Sequence, residues 1–563
     1  MFDGLLAGWG LLASACAWPV AMGLTATVLI ERLAQPRPQA IWRRPWAMNA
    51  LLVCAWAALF CFELVLFQRP AFAAVLATGL LLLLVLISNS KFHSLREPFI
   101  VQDFEYIADA IRHPRLYLPF FGVAKALFCT ALFFALLYLG VALEESVLNS
   151  VSYAVYWSAW AGLVLAVCLA VQLLRRAVPA MQFCPTQDQQ QFGFFATLFA
   201  YYWAEQRHPE LTPPAWPMPQ PSSGVLPHLL VVQSESFVDF RRYYPQIRTD
   251  ILSEYDRFCA ESLQYGQLEV PAWGANTVRS EFAFLSGLSP QQLGVHQFNP
   301  YRRFARQYSA SLAAQLRQQG YRTVCIHPYA ASFYHRDVLY PQLGFDEFID
   351  ISAFAPPPAG MPYVSDLQVA AKIGEVLAQA TQPTFIFVIT MENHGPLHLE
   401  QLAAGDAEQV YHGAAPKDGE ELTIYLRHQA NANRMLAQLR AQLTALSRPA
   451  TLCWYGDHVP ILPKVYASHG EPSGNTDYFI WQTPCKTVYR RVYQSASTDL
   501  VVDVDHFKVC KPKELAHEAA KLLLPCRHHR SARTNAHIRA HASSISIVAV
   551  HQLAGEVLHY LDR

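Results

Sequence analysis

Four apolar runs in the last two-thirds of the chain each end in residues able to do chemistry. Leu229–Val232 leads into Gln233, Ser234, Glu235 and Ser236. Arg322–Ile326 leads into His327, and Thr384–Ile389 leads into Glu392, Asn393 and His394. Thr451–Tyr455 leads into Gly456, Asp457 and His458. Short continuous apolar runs between helical stretches fit the strands of a parallel sheet covered on both faces. Ligands of open α/β sheets bind beyond the carboxyl ends of such strands. One such end is unremarkable, but four predict a shared site. Glu235 from one strand end, with the adjacent Asp457 and His458 from another, supplies mixed oxygen and nitrogen donors. That set suits Zn²⁺ or Mn²⁺ better than an all-oxygen Ca²⁺ cage. A Gly-Asp-His sequence standing alone would be an ordinary turn with a satisfied histidine.

The segment Gly274-Ala-Asn-Thr277-Val-Arg-Ser280-Glu281-Phe282 reads as a loop entering a helix. Thr277 falls near the helix N-terminus, where unpaired N–H groups and the positive dipole end favour an anion such as phosphate. A threonine hydroxyl is a poor nucleophile unless a base or a metal activates it. By itself Thr277 would be an ordinary N-cap. Beside Glu235, Asp457 and His458 it becomes a candidate for metal-activated attack.

The chain that must position these groups has 563 residues, of which 53% are hydrophobic and only 15% charged. Soluble domains carry about 25% charge, so a disordered chain, a coiled coil and an ordinary cytosolic enzyme are excluded. Lys+Arg and Asp+Glu number 43 each, which removes the basic excess of a nucleic-acid binder; no nucleic-acid partner is expected. The apolar excess lies in the first third, over Trp9–Ile30, Trp46–Phe67, Ala71–Ser88, Ala126–Leu143 and Tyr153–Leu174. Each is close to the ~20 residues that cross a bilayer core. Trp9, Trp42, Trp46 and Tyr117 stand near the ends as interface anchors. Asn89–Leu118 is too polar for hydrocarbon and is expected to lie along the interface.

The expected organisation is therefore a five-span transmembrane domain over residues 1–176 and a linker or interfacial segment over 177–224. A catalytic domain follows over 225–526, with a mixed, mainly parallel sheet between helices, and then an atypical His/Arg-rich tail over 527–563.

Glu235 in QSESF, Thr277 in GANTVRSEF and Asp457-His458 in YGDHVP together resemble the lipoteichoic acid synthase-like phosphoglycerol transferases. These form a branch of the sulfatase/alkaline phosphatase superfamily, and the resemblance extends to five membrane helices, a linker and an α/β domain. It implies a divalent metal, usually Mn²⁺ with Mg²⁺ or Zn²⁺ open, held by Glu235, Thr277, Asp457 and His458. It implies that Thr277 attacks phosphatidylglycerol, that diacylglycerol leaves, and that the glycerophospho-threonine passes its group to an envelope glycan or polymer. His327 and Arg336 in HPYAASFYHR match a His…Arg pair that binds phosphoglycerol in the family, and Tyr334 stands at an aromatic position. His394 in MENHGP matches a second substrate histidine. An arginine offers phosphate oxygens a planar fork; the alternative for Arg336 is a surface ion pair with Asp337 or Asp346. The sequence lacks the C/S-x-P-x-R motif of formylglycine sulfatases, which disfavours sulfate-ester hydrolysis.

The resemblance also implies a multi-pass protein of the cytoplasmic (inner) membrane, with its catalytic domain on the periplasmic or extracellular side. The positive-inside rule points the other way. Arg32, Arg37, Arg43, Arg44, Lys91, Arg96, Arg112, Arg115, Arg175 and Arg176 share a side with the catalytic domain. Envelope acceptors favour the outer side, and these basic loops are then expected to meet anionic lipid head groups. Two alternatives remain. One is a phosphoethanolamine transferase or a phosphodiesterase/sulfatase-type hydrolase on the same fold. The other is a non-catalytic lipid- or glycan-binding membrane protein, against which the presence of all four candidate ligands counts.

Overall fold

The computed structural model describes residues 2–105, 123–207, 211–217, 225–303, 305, 308–357, 361–484, 491–494, 500–503 and 546–561. Five helices open the chain: α1 (Phe2–Glu31), α2 (Trp46–Phe67), α3 (Pro70–Leu95), α4 (Val123–Leu143) and α5 (Tyr153–Leu174). Each contains a stretch long and apolar enough to cross a membrane. Phe134, Leu143 and Leu173 on α4 and α5 are 61%, 80% and 67% exposed, apolar surface that hydrocarbon tolerates and water does not. Pro70 starts α3 at a position where its missing N–H costs nothing. Glu144 accepts from the free Ala71 and Phe72 N–H groups there, at 2.9 and 2.7 Å.

Three boundaries differ from the sequence reading. Helix α3 does not stop near Ser88 but runs through Asn89 to Leu95. Its polar end is held by protein: Lys91 Nζ donates to Glu97 at 2.7 Å and Asp103 at 2.6 Å. The expected linker is largely helical, with α6 (Pro185–Phe192) and α7 (Phe194–Glu205). Ala196 and Trp203 are buried against Met48 and Leu51 of α2, and Tyr201 donates to Asp188 at 2.7 Å. The aromatic run FFATLFAYYWAE is mostly buried, with Tyr202 exposed, whereas the Pro/Gln/Ser composition that led to a linker begins only at Pro213.

The C-terminal region is one eight-stranded sheet in the order β10-β2-β7-β6-β1-β5-β3-β4. Its strands are β1 (His228–Ser234), β2 (Gln264–Glu269), β3 (Arg322–Ile326), β4 (Glu347–Ile349), β5 (Thr384–Ile389), β6 (Ala450–Gly456), β7 (Thr476–Gln482) and β10 (Ser546–Ala549). β8 (Arg491–Gln494) and β9 (Leu500–Asp503) pair only with each other. Strands β4, β3, β5, β1 and β6 run parallel, and β7 is antiparallel to both β6 and β2.

Every residue of β1, β5 and β6 is buried, as expected of strands covered on both faces. One cover contains α10 (Asp366–Ala378) and α11 (Glu420–Ala445), whose Ile373, Met435 and Leu439 meet Leu230, Val232 and Trp454. The other contains α8 (Thr277–Ser286) and α9 (Arg336–Gln342), whose Phe284 and Leu339 meet Val231, Phe387 and Tyr455.

The supposed tail is partly a piece of this fold. Residues 527–545 lie outside the described residues, but β10 extends the sheet beside β2. Helix α12 (Val550–Tyr560) buries Val550, Leu553, Ala554, Val557 and Leu558 in the second core. That spacing is an amphipathic helix stripe, obscured in the sequence by the His/Arg-rich segment before it.

Candidate active site

The four strand ends converge. Strands β1 and β6 are neighbours in register, with Ser234 opposite Gly456, so Glu235 and Asp457 emerge side by side. Gly456 is required by close approach: a Cβ there would lie 2.1 Å from the Phe237 carbonyl oxygen. Ligand atoms of Glu235, Asp457 and His458 lie within 4.8 Å of one another, and all three residues are buried.

Ser236 ties the three together. Its N–H donates to Asp457 Oδ1 at 2.8 Å, and its hydroxyl donates to Glu235 Oε1 at 2.9 Å. The hydroxyl also lies 3.2 Å from His458 Nδ1. It does this from a left-handed backbone conformation, φ 53°, one that a serine rarely adopts. His458 Nδ1 also lies 3.1 Å from the Val459 carbonyl, which can only accept. The proton therefore sits on Nδ1 and the Nε2 lone pair is left for a ligand.

The donor set fits a divalent cation. Asp457 Oδ2 is buried with no hydrogen bond, and burial together with the Asp457 carboxylate pushes Glu235 above the usual carboxylate range. Two buried carboxylates face the same space, and a metal there would supply the positive charge that offsets them.

Thr277 is the first residue of α8, preceded by Asn276 at φ 65° and with no side-chain cap on that helix end. Thr277 and Glu235 line the same cavity. The helix is fastened beside the ligand loop by Ser280, whose hydroxyl donates to the Asp457 carbonyl at 2.6 Å.

The same cavity receives His327, Tyr334, Arg336 and His394. Arg336 is 1% exposed, so the surface pair with Asp337 or Asp346 does not form. Its partner is Glu281, reached through Nη2 and through Nε at 3.2 Å. Tyr340 and Tyr301 hydroxyls donate to the same carboxylate at 2.7 and 2.9 Å. Arg336 Nη1 lies 3.3 Å from His327 Nε2, and His327 Nδ1 donates to the Ile389 carbonyl at 3.1 Å. Burial and the Arg336 charge hold His327 well below its usual pKa, so it is a neutral acceptor for Arg336. The guanidinium also sits 5.1 Å from the centre of the Tyr334 ring. His394 Nδ1 donates to the Gly395 carbonyl at 2.6 Å, and burial lowers its pKa. Its Nε2 lone pair is therefore available at neutral pH.

The structure thus brings all eight sequence-selected residues to one place. It adds three that sequence reasoning quoted without a role: Ser236, Ser280 and Glu281. Glu281 had a signal, since it stands four residues after Thr277, one helical turn along the same face.

Residues 227–503 match the family described as Sulfatase. The chain is 29% identical over 448 residues to the capsular polysaccharide biosynthesis protein RkpI of Rhizobium meliloti (strain 1021), covering 73% of this chain and 77% of that protein. Among solved structures, the Streptococcus pyogenes phosphoglycerol transferase GacH, in complex with sn-glycerol-1-phosphate, aligns at 24% identity and TM-score 0.38. That alignment covers 46% of this chain and 68% of GacH. The integral membrane lipooligosaccharide phosphoethanolamine transferase A of Neisseria meningitidis aligns at 12% identity and TM-score 0.48, over 78% of this chain and 81% of that one. The stretch that matches this family follows five membrane-length helices.

Of the basic residues counted against an outward-facing domain, several are engaged in ion pairs. Arg44 pairs with Glu31, Lys91 with Glu97 and Asp103, and Arg96 with Glu471. They are not a free surface for anionic head groups. Arg112 and Arg115 lie outside the described residues.

Proposed function

We propose that this chain is a membrane-anchored phosphoglycerol transferase that moves glycerol phosphate from phosphatidylglycerol to an envelope glycan or polymer. The observation that carries the reading is the single cavity in which Thr277 at a helix N-terminus, the Glu235 end of the carboxylate cluster, and Arg336 with His394 face the same space. That cavity is also lined by Leu83 and Ile87 of α3, so it is reachable by a lipid. A divalent metal, most consistent with Mn²⁺ and with Mg²⁺ or Zn²⁺ as alternatives, would be held by Glu235, Thr277, Asp457 and His458. When bound it would lower the hydroxyl pKa and neutralise phosphoryl charge.

This chain's own residues do the rest. The Thr277 oxygen attacks phosphorus as the bond to the diacylglycerol oxygen breaks, and the hydroxyl proton ends on the departing diacylglycerol. The N-terminus of α8 and the free edge of Arg336 stabilise charge on the phosphoryl oxygens. Glu281 and His327 hold the guanidinium plane for that purpose. In the second half, an acceptor hydroxyl attacks the glycerophospho-threonine and Thr277 recovers its proton. His394 Nε2, unprotonated at neutral pH, is placed to take the acceptor's proton and pass it on. Similarity to the capsular polysaccharide biosynthesis protein RkpI supports a capsular or related envelope polysaccharide as the acceptor class. Such an acceptor places the catalytic domain on the outer side of the cytoplasmic membrane.

The test is diacylglycerol release by the detergent-purified full chain with Mn²⁺. Acyl-labelled phosphatidylglycerol should be consumed, Thr277→Ala should abolish release, and phosphatidylethanolamine should be left intact. Release mainly from phosphatidylethanolamine would move the donor, and release from neither lipid would favour a non-catalytic binding protein.

A further inference from the structure

The catalytic cavity does not end at the protein's aqueous domain. Its volume is about 570 Å³, and part of its wall is membrane helix. Leu83, Ile87, Lys91, Ser94 and Leu95 of α3 line it from one side, and Cys129 of α4 from the other. The α3 residues recur at helical spacing, so they form one continuous face. From Leu83 to Leu95 that face rises about 18 Å at 1.5 Å per residue. Half of a bilayer's hydrocarbon core is about 15 Å, so the face runs from head-group level deep into one leaflet.

The two helices meet at the far end. A Cβ on Gly140 of α4 would lie 2.0 Å from the Phe72 ring of α3, so the glycine allows contact there. Towards the catalytic domain the α3 face and Cys129 of α4 line the cavity together. None of the described residues of α4 is buried, and its Leu127 and Phe128 are 67% and 68% exposed. Among the described residues the two helices flank a wedge, closed at the distal end by Gly140 against Phe72 and lined beside Thr277 by the α3 face and Cys129.

Its inner lip is fixed. Arg279, two residues beyond Thr277 on α8, makes a forked pair with Glu97 at 2.8 and 3.0 Å. Glu97 in turn holds Lys91 at the end of α3. Burial would raise the Glu97 carboxyl, but Arg279 and Lys91 outweigh it and hold the group down at about 2. The α3 face is thus tied to the helix that carries the hydroxyl.

We propose that the α3–α4 wedge is the lateral portal and holding site for the diacylglycerol portion of the phospholipid donor. The volume accommodates the head group and the upper part of the acyl chains, within the ~300–1,000 Å³ typical of ligand sites. The chain ends remain in the bilayer. This rests on the phospholipid-donor reading above.

Two measurements test it on the full chain. First, phosphatidylglycerol carrying an acyl-chain diazirine is photolysed with the Thr277→Ala protein and the labelled peptides are mapped. Label should concentrate on 83–95 and 127–134. Label spread over α1, α2 and α5 instead overturns the portal. Second, Ile87→Trp and Cys129→Trp should narrow the wedge. The ratio of turnover for dioleoyl over dihexanoyl phosphatidylglycerol should fall at least tenfold, because a short-chain donor dissolved in water needs no seat for its chains. An unchanged ratio in both variants overturns the portal. If the wild type releases diacylglycerol from no donor while label still maps to the wedge, the portal stands and the transferase reading falls.

Discussion

Glu281 is the residue whose replacement separates stability from catalysis most clearly. It is fully buried and faces the Arg336 guanidinium and two tyrosine hydroxyls. In Glu281→Gln the amide oxygen can still accept from Tyr301 and Tyr340, but Arg336 remains at 1% exposure without a counter-charge. Removing one half of a buried pair costs about 3–5 kcal/mol. At roughly 2–4 °C per kcal/mol for a domain of this order, the unfolding midpoint should drop by about 6–20 °C. Arg336→Leu should cost a similar amount, because it strands the Glu281 carboxylate. The double variant Glu281→Gln/Arg336→Leu removes both charges, and buried pairs exchanged for uncharged groups are often neutral. It should therefore recover to within about 1–2 kcal/mol of wild type. Its diacylglycerol release should nevertheless stay about 10²–10³-fold down, the cost of losing one group that stabilises transition-state charge. The assay is intrinsic-fluorescence melting of the detergent-purified protein beside lipid turnover. A double variant whose loss equals the sum of the two single losses would show that the two side chains are not coupled. A double variant with wild-type turnover would show that Arg336 does not act on the substrate.

Other outcomes follow from the same geometry. Mn²⁺ at about 100 times its dissociation constant should stabilise the protein by about 2.7 kcal/mol, with a matching upward shift in melting. Asp457→Asn should lose that shift, and a wild-type shift in the variant would remove Asp457 from the ligand set. His228, at the start of β1, accepts from the Thr384 N–H at 3.2 Å. Burial and then Arg448 push it from 6.5 down to about 4. The unfolded chain binds this proton more readily, so the contribution is intact above pH 6.5 and is lost as the pH falls towards 4. The acid slope of the melting temperature should be shallower in His228→Asn than in wild type; identical slopes would refute the assignment.

Much of this site was legible in the sequence because its residues follow apolar runs directly. Glu235, His327, His394 and Asp457 each stand within five residues of a strand end, where α/β topology makes chemistry converge. The partner of Arg336 was not legible. Asp337 and Asp346 are nearer in sequence, but α9 turns the guanidinium inward to Glu281, 55 residues away. The helical character of 185–205 was hidden by the Pro-rich stretch after it. The edge strand and helix at 546–560 were hidden by the His/Arg-rich stretch before them. In both cases composition averaged over a window masked a local apolar periodicity. The pairing of Arg279 with Glu97 joins residues 182 positions apart, and no local pattern announces such a contact.

The central claim is that Thr277 carries the glycerophosphoryl group. The most direct measurement is peptide mapping of the full-length protein quenched in acid after brief exposure to Mn²⁺ and glycerol-labelled phosphatidylglycerol without acceptor. The account predicts label on the peptide containing Thr277, its release on adding an acceptor glycan, and its absence in Thr277→Ala. Diacylglycerol release at full rate with no label on Thr277, or label persisting in Thr277→Ala, would contradict it.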